Sequence, residues 1–302
     1  MYYVVFGLSH LLSLLPFCVL YFLSDVLYLI VYHCIKYRRG VVRDNLLKSF
    51  PEKSLDEIIR IEKKFYHFFC DYFVETLKLT SISKKEMRKR MVFRGVEQVE
   101  QAVHEEGYNF IFLYLGHYCN WEWVASLPYT ISPSIHCAQI YHPLYNKAVD
   151  RFFLKLRNQF GGECIPMKNT LRRVIELKRE KRPTMIGFIS DQLPKWNSMH
   201  FFVPFLHRET AVFTGAEQIG RQVKAVYFFA DIIRPRRGYY ECTFRRMEIP
   251  EVNRTEYDMT AMFMEQLEQM IRKAPQYWLW THKRWKRTKE EWLRRQQDPT
   301  IK

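Results

Sequence analysis

The sequence predicts one α/β domain with a mixed central β-sheet flanked by helices, preceded by an N-terminal membrane helix. Two observations lead to this fold class. Short buried-strand patterns alternate with helical patterns through the middle of the chain, and a nearly uncharged apolar stretch stands before them. The chain has 302 residues and is 48% hydrophobic, which is enough for a sizeable core. We expect residues 1–35 to be the anchor and residues 36–302 the folded domain.

The predicted anchor is unusually apolar. From Met1 to Tyr32, 25 residues are apolar or aromatic, and Asp25 is the single formal charge. A bilayer core takes about 20 apolar helical residues, so this stretch is long enough to span it. Four Lys and Arg residues follow between positions 36 and 43, and the positive-inside rule then keeps the folded domain on the cytoplasmic side. Scattered Gly, Ser and Pro residues leave a half-inserted helix or a buried core helix open.

The first helix of the domain has a clear start. Ser54 and Glu57 have the spacing of a capping box, in which each side chain satisfies an orphan donor at a helix N-terminus. The helix is expected to continue to about Leu79. Its aromatic residues between positions 65 and 73 lie on more than one side, which leaves open whether it packs against protein alone or also against a membrane.

Strand and helix patterns then alternate. The predicted buried strands are residues 109–116, 184–190, 224–233 and 239–249. The predicted helices lie near residues 119–128, 146–160 and 169–180. Strands interleaved with helices in this way favour a mixed sheet in one α/β domain.

Charge and cysteine content limit the classes of function. The formal net charge of +15 indicates an anionic partner, which could be nucleic acid, an anionic membrane surface or a phosphorylated substrate. The seven cysteines are odd in number, widely spread and without a CxxC pair, so they favour a reducing compartment over a disulfide framework or a zinc site. We therefore predict no metal and no cofactor.

The residues with the strongest chemical signal follow the first predicted strand. His117 leaves the carboxyl end of that strand, where ligands of open α/β sheets usually bind. Asn120 can cap a following helix, which places Glu122 in the first turn and lets its carboxylate fold back onto the imidazole. Such a pair is a positioned base that could take a proton from a hydroxyl. A loop histidine beside a surface glutamate has the same spacing.

This segment resembles the His-x4-Glu motif of the lipid A biosynthesis late acyltransferase family, within the glycerolipid acyltransferase superfamily. Further segments resemble that family in the same order: Tyr141–Asn146 with Asp150 and Arg157, Ser190–Gln192, Phe201–Phe205 with Thr210–Gly215, and Pro275–Trp285. The resemblance covers nearly the whole chain. One departure is Cys119, which stands where many relatives carry Gly.

The resemblance implies transfer of a fatty acyl group from acyl carrier protein to a hydroxyl of a lipid A precursor. It implies a location at the bacterial inner membrane, with the domain on the cytoplasmic side among anionic lipids and no role for nucleic acid. His117 would be the general base and Glu122 would fix its tautomer. Arg157 could bind a phosphate or hold the site carboxylate, Asp191 could be a site acid or a helix cap, and Gln192 is a further substrate-binding candidate.

Two other functions stay open on the sequence. The chain could acylate another lysolipid or an amino-acid lipid, although such relatives usually carry Asp in place of Glu122. It could also be a non-enzymatic binder of nucleic acid or anionic lipid that uses its basic, aromatic surface.

Two aromatic groups have open roles as well. Phe201, Phe202 and Phe205 could line an acyl tunnel or pack in the core. The C-terminal Trp residues at 278, 280, 285 and 292 stand among Lys and Arg, a combination that favours the headgroup level of a bilayer, or they could be packed inside.

Overall fold

The computed structural model describes residues 2–248 and 256–298, with side chains from Phe6 onward. The strands in this part of the chain are β1 (Met91–Arg94), β2 (Phe110–Leu115), β3 (His136–Tyr141), β4 (Glu163–Pro166), β5 (Thr184–Ile189), β6 (Phe201–Phe205), β7 (Arg208–Val212), β8 (Val226–Arg236) and β9 (Tyr239–Met247). Seven of them form one sheet in the order β1-β9-β8-β2-β5-β3-β4, and β6 and β7 form a separate hairpin.

The sheet is mostly parallel, with one antiparallel pair. β2 lies near its centre and pairs in parallel with β5 and β8, whereas β8 and β9 are antiparallel. All six residues of β2 are buried, so both of its faces are covered. The mixed sheet of an α/β fold is therefore confirmed, and the four strands predicted from the sequence correspond to β2, β5, β8 and β9.

The α-helices of the described residues are α1 (Tyr2–Ser13), α2 (Phe17–Tyr28), α3 (Arg39–Ser49), α4 (Leu55–Lys78), α5 (Lys84–Arg90), α6 (Val96–His104), α7 (Lys147–Asn158), α8 (Thr170–Glu180), α9 (Gly215–Val223), α10 (Asp258–Lys273) and α11 (Lys289–Gln297). A π-helix continues α2 over Leu29–Ile35. Short 3₁₀ helices span Met167–Asn169, Trp196–Ser198 and Pro275–Tyr277, and a longer one, here called the 3₁₀ segment, spans Trp121–Tyr129.

Helix α4 begins at the predicted capping box. The Ser54 amide donates to Glu57 Oε2 at 2.9 Å, and the Glu57 amide donates to Ser54 Oγ at 3.4 Å. Most of its aromatic residues, including Phe65 and Phe68, are buried in the core. Phe73 is 46% exposed, so α4 is mainly a core helix with one apolar side chain at the surface.

The N-terminal stretch differs from the single helix that we expected. Two helices, α1 and α2, are separated by a break before Pro16, whose ring fixes φ and whose nitrogen has no proton to donate. Among the described residues, one helix, Phe17–Ile35, is long and apolar enough to cross a bilayer. It does not stand apart from the domain, because it packs along α4.

The aromatic residues of the C-terminal half are largely packed inside. Trp278 and Trp280 are buried, so neither lies at a surface where it could meet lipid headgroups. The Phe205 ring contacts the rings of Trp278 and Trp285, with centroids 5.7 and 6.4 Å apart, and Phe202 packs on the Trp292 ring at 5.4 Å. The phenylalanine-rich hairpin is thus a packing element.

Candidate active site

Two parallel neighbours in the sheet bring together residues that are far apart in sequence. β2 and β5 pair along their full lengths, so their carboxyl ends place His117 beside Asp191. Gly116, between β2 and His117, packs tightly against Leu267. A Cβ atom there would lie 2.7 Å from Leu267 Cδ1 and 3.4 Å from Asp191 Oδ2, so a larger residue would need the Leu267 side chain to move.

Asp191 holds the imidazole of His117 in one orientation. Its Oδ1 lies 2.6 Å from His117 Nδ1, and its Oδ2 accepts hydrogen bonds from the His117 amide at 2.9 Å and from Trp278 Nε1 at 2.8 Å. Burial alone would raise the pKa of Asp191, but His117 and the Trp278 donor outweigh it and lower the pKa to about 2. The carboxylate is therefore ionised at neutral pH, which assigns the proton to His117 Nδ1.

The second ring nitrogen of His117 is available for chemistry. Its Nε2 lies 3.2 Å from the side-chain nitrogen of Gln192, and the imidazole is 18% exposed. The Trp121 ring flanks it edge-on, with centroids 5.1 Å apart. A substrate hydroxyl that displaced the Gln192 amide could donate its proton to Nε2.

Glu122 has a different partner from the one that we expected. Among the hydrogen bonds of the described residues, Glu122 is joined to Arg157 and not to His117. Arg157 Nε donates to Oε2 at 2.7 Å and its Nη2 donates to Oε1 at 2.6 Å, which is a bidentate ion pair. Burial would lower the pKa of Arg157, but the Glu122 carboxylate raises it further than burial lowers it. Of the two roles considered for Arg157, the geometry fits the one that holds a site carboxylate.

The local backbone explains this pairing. Asn120 Oδ1 accepts a hydrogen bond from the Trp123 amide at 3.3 Å, so the 3₁₀ segment begins as predicted and Glu122 lies in its first turn. That turn faces α7, which carries Arg157 in its last turn. The carboxylate of Asp191, delivered by β5, occupies the position beside His117 Nδ1 that we had expected Glu122 to take.

The loop after His117 has a backbone conformation that favours glycine. Cys119 has φ +52°, in the left-handed region that glycine adopts with least strain. Its amide donates to the Tyr277 carbonyl at 2.9 Å, and the Leu279 amide donates to the His117 carbonyl at 3.1 Å. The C-terminal Pro275–Trp285 segment therefore holds this loop from one side.

A buried carboxylate holds the loop from the other side. Glu75 of α4 accepts hydrogen bonds from Asn120 Nδ2 and from the Tyr240 hydroxyl, both at 2.7 Å. The Tyr21 hydroxyl of α2 donates to its other oxygen at 3.0 Å. Burial raises the pKa of Glu75, and Arg234 opposes that effect. One side chain thus joins the N-terminal helix, the sheet and the site loop.

His282 and Arg284 lie close enough to the His117–Asp191 pair to interact electrostatically with Asp191. His282 Nε2 accepts a hydrogen bond from the Leu193 amide at 3.4 Å. Burial, together with the charge of Arg284, lowers the pKa of His282 to about 4, so this histidine is neutral at physiological pH. Burial likewise lowers the pKa of Arg284 to about 10.

An apolar cavity lies on the far side of Trp121 from the imidazole. It lies between the sheet and the 3₁₀ segment, and its wall includes Leu113, Leu115, Trp121, Leu127, Met185 and Ile189. Trp121 belongs both to this wall and to the surroundings of His117. Phe201, Phe202 and Phe205 are not among the residues that line this cavity.

Sequence reasoning gave no site role to Trp278 or Glu75. Trp278 was noted for its ring, whereas its indole N–H is the atom that binds Asp191. Glu75 carried a weak signal, because an acidic residue amid the aromatic stretch of a helix needs buried partners.

The fold and site define a class of enzyme. An α/β sheet whose carboxyl end holds a buried aspartate, an oriented histidine and an adjoining apolar cavity suits proton removal from a hydroxyl beside an apolar substrate. In the described residues, no group of three or more His, Cys, Asp or Glu side chains is arranged to hold a metal ion.

Comparison with known proteins then identifies the family. The family described as bacterial lipid A biosynthesis acyltransferase matches residues 1–287, and the chain belongs to it. A lipid A biosynthesis acyltransferase of Haemophilus influenzae is 25% identical over 274 residues, which cover 89% of this chain and 82% of that protein. The resemblance seen in the sequence is confirmed, and the protein is an acyltransferase of lipid A biosynthesis.

Proposed function

We propose that this enzyme transfers a fatty acyl group from acyl carrier protein to a hydroxyl of a lipid A precursor, with His117 as general base and Asp191 as its orienting acid. The hydrogen bond between His117 Nδ1 and Asp191 Oδ1 carries the proposal, because it leaves Nε2 as the acceptor on the exposed side of the ring. The family supports the reaction class and the lipid A precursor as acceptor. The donor follows from the resemblance of the motifs.

The proposed reaction needs no nucleophile from the protein. His117 Nε2 takes the proton of the acceptor hydroxyl while that oxygen attacks the thioester carbonyl carbon. The tetrahedral intermediate then loses the thiolate as its C–S bond breaks, and the imidazolium returns the proton to the sulfur. Asp191 stays ionised throughout and stabilises the imidazolium, as the aspartate of a Ser-His-Asp triad does.

Glu122 and Arg157 act in this proposal as positioning residues. Their ion pair joins the first turn of the 3₁₀ segment to α7, and the 3₁₀ segment forms one wall of the cavity beside His117. Fixing that wall fixes Trp121, which stands between the imidazole and the cavity. Gln192 is proposed to bind the acceptor hydroxyl once its contact with Nε2 is displaced.

The apolar cavity is the proposed site of the acyl chain. Its lining is mainly apolar side chains from β2, β5 and the 3₁₀ segment, and it includes Trp121, whose ring contacts the His117 imidazole. An acyl chain held there would put its thioester carbon close to His117 and remove its methylene groups from water, at about 0.8 kcal/mol per buried CH₂.

A cationic groove supports an anionic partner. Lys48, Arg208, Lys283 and Lys286 line a groove that contains Asp44 as its only acidic side chain among the described residues. This arrangement suits the headgroup of an anionic lipid or an acidic patch on a carrier protein. We propose a location at the bacterial inner membrane with the domain on its cytoplasmic side, supported by the exposed apolar N-terminal helices.

The experiment is acyl transfer by the purified full-length enzyme, followed by mass spectrometry of the lipid product. His117→Ala should lower kcat by at least about 10²-fold, because positioned general bases contribute about 10²–10⁴-fold. His104→Ala, at an exposed histidine of α6, is the matched control and should keep the parent rate. Parent activity in His117→Ala would overturn the assignment of the base.

The same assay tests donor and acceptor separately. Acyl carrier protein and coenzyme A thioesters of one chain length, offered at equal concentration, should differ in rate in favour of the carrier protein. Mass spectrometry of lipid A with and without the gene then tests the acceptor. Unchanged lipid A acylation, with a change in another lipid, would favour the lysolipid or amino-acid lipid alternative.

A further inference from the structure

The two N-terminal helices expose an apolar outer surface. Six side chains between positions 8 and 35 are more than half exposed: Leu8, Leu11, Leu14, Phe22, Leu29 and Ile35. They lie on α1, on the break after it, and on α2 with its π extension. Soluble monomeric proteins rarely expose so many large apolar side chains in one region, so we expect this face to be covered by a binding partner.

The inner surface of the same helices is tied to the domain. Three hydrogen bonds join α2 and its π extension to α4: Tyr21 to Glu75 at 3.0 Å, Ser24 to Asp71 at 2.7 Å, and Tyr32 to Glu62 at 3.0 Å. Residue numbers rise along α2 as they fall along α4. The two helices are therefore antiparallel neighbours over the whole candidate span, Phe17–Ile35.

The middle of this span also carries a charge that the domain neutralises. Asp25 accepts a hydrogen bond at 2.6 Å from Arg237, which lies in the turn between β8 and β9 and also donates to the buried Asp71. If α2 crossed a bilayer, this ion pair and the sheet turn would have to enter the hydrocarbon with it. Ionisable groups at that depth are strongly disfavoured.

We propose that α1 and α2 lie flat in one leaflet, on the same side of the bilayer as the folded domain, and do not cross it. The partner is the boundary between headgroups and acyl chains of an anionic leaflet. An interfacial helix of this kind buries one apolar face and keeps its polar face on protein or water. Exposed Lys36, Lys63 and Lys64, near the Tyr32–Glu62 contact, complement anionic headgroups.

This inference rests on the proposed membrane location and revises the expectation of a spanning anchor. It also implies that contacts within the protein connect the bilayer surface to the catalytic loop. Glu75 binds Tyr21 of α2 and Asn120 of the loop that carries His117. The leaflet that holds the acceptor lipid would thus meet the same helix pair that supports the catalytic loop.

The test of topology is protease access to epitopes added at the N-terminus and the C-terminus of the full-length enzyme. Both epitopes should be cleaved in inverted inner-membrane vesicles and both protected in intact spheroplasts. Cleavage of the N-terminal epitope from the opposite side to the C-terminal one would overturn the inference, while leaving the proposed acyl transfer untouched.

A second measurement tests the docking face itself by flotation with phosphatidylglycerol-containing vesicles. Leu11→Glu and Phe22→Glu should each weaken binding by about tenfold, because each removes one large apolar side chain from the interface. Leu171→Glu is the matched control, since Leu171 is 47% exposed on α8, and its binding should not change.

Each flotation result is decisive. Failure of the parent enzyme to float would overturn the proposed membrane location. Parent binding with no loss in either N-terminal variant would overturn only the docking face. Circular dichroism of each variant verifies that the domain remains folded.

Discussion

In two pairs at the site, a carboxylate binds a basic side chain, and the two pairs differ in how far apart their members are in sequence. His117 and Asp191 are 74 positions apart, yet their side chains lie 2.6 Å apart. Glu122 is only five positions from His117, but it binds Arg157. Parallel neighbours in a sheet align their carboxyl ends, whereas residues in a loop and a following turn diverge. Strand adjacency, more than closeness in sequence, decides which carboxylate serves the histidine.

The two pairs also differ in what they leave free. The His117–Asp191 pair keeps one ring nitrogen on an exposed face, where a hydroxyl can reach it. The bidentate contact of Arg157 uses both oxygens of Glu122, and that carboxylate is 4% exposed. The first pair is suited to proton transfer and the second to holding two elements together. Four predictions test this contrast, beginning with the largest effect.

Asp191→Asn should lower kcat by about 10³–10⁴-fold with little change in fold. An amide at this position can hold the imidazole in the wrong tautomer, and the comparable change in a Ser-His-Asp triad costs about 10⁴-fold. Initial rates of acyl transfer at saturating substrate measure the effect. Asp56→Asn, at an exposed position in the first turn of α4, is the control. A loss below tenfold would mean that Asp191 does not orient the base.

Glu122→Gln should instead act mainly on stability. Removing one partner of a buried ion pair leaves the other charge uncompensated, at about 3–5 kcal/mol in the free energy of unfolding. Denaturation of Glu122→Gln, Arg157→Met and the double variant measures this coupling, and the double variant should recover part of the loss. If Glu122→Gln were fully stable yet lost as much kcat as Asp191→Asn, Glu122 would belong to the proton-transfer machinery.

Asp191 and His282 should affect the stability of the folded state in different ranges of acid pH. The pKa of Asp191 is lowered to about 2, so its stabilising contribution is complete above pH 3.8 and is lost between pH 3.8 and 2. His282 has a pKa lowered to about 4, so the folded state resists its protonation, and stability falls as pH drops from 6.5 to 4. This loss is at most about 3 kcal/mol at 1.36 kcal/mol per pKa unit.

The corresponding measurement is thermal unfolding of the parent enzyme and of His282→Gln at several pH values. The midpoint of the parent should fall between pH 6.5 and 4, while that of the variant should change less over the same range. His104→Gln, an exposed histidine, should follow the parent. Equal slopes for the parent and His282→Gln would show that another group causes the acid loss.

Much of the fold could be predicted from local patterns. Strands β2, β5 and β8 were found because they carry long runs of apolar β-formers, as strands with both faces covered do. In β9 buried residues alternate with more exposed ones. The short strands β1 and β4 have four residues each and carry too little pattern. Pro16 was noted in the sequence but no break was predicted there, and the pairing of α2 with α4 depends on side chains 30 or more positions apart.

The sequence indicated which residues belong to the candidate site better than it indicated which of them contact each other. His117, Asp191 and Gln192 lie together after the ends of β2 and β5, whereas Glu122 and Arg157 form a separate pair. Which carboxylate meets the imidazole could not be read from spacing, since it depends on the pairing of β2 with β5. The expected Glu122–His117 contact rested on the five-residue spacing, on the Asn120 cap and on the resemblance to the His-x4-Glu motif.

Trp278→Phe gives the smallest effect and the finest test of the Asp191 pair. The change removes one hydrogen bond of 2.8 Å to the carboxylate while it keeps an aromatic ring in a buried position. A hydrogen bond to a charged group contributes about 1.5–3 kcal/mol, but two bonds from His117 remain, so we expect a loss of about tenfold in kcat with KM unchanged.

Trp280→Phe is the matched control, because its indole donates at 2.6 Å to the Pro275 carbonyl and not to the site. Both variants should lose similar thermal stability, whereas only Trp278→Phe should lose kcat. Equal kcat in the two variants would show that Trp278 supports the fold near Asp191, and that its hydrogen bond to the carboxylate does not affect catalysis.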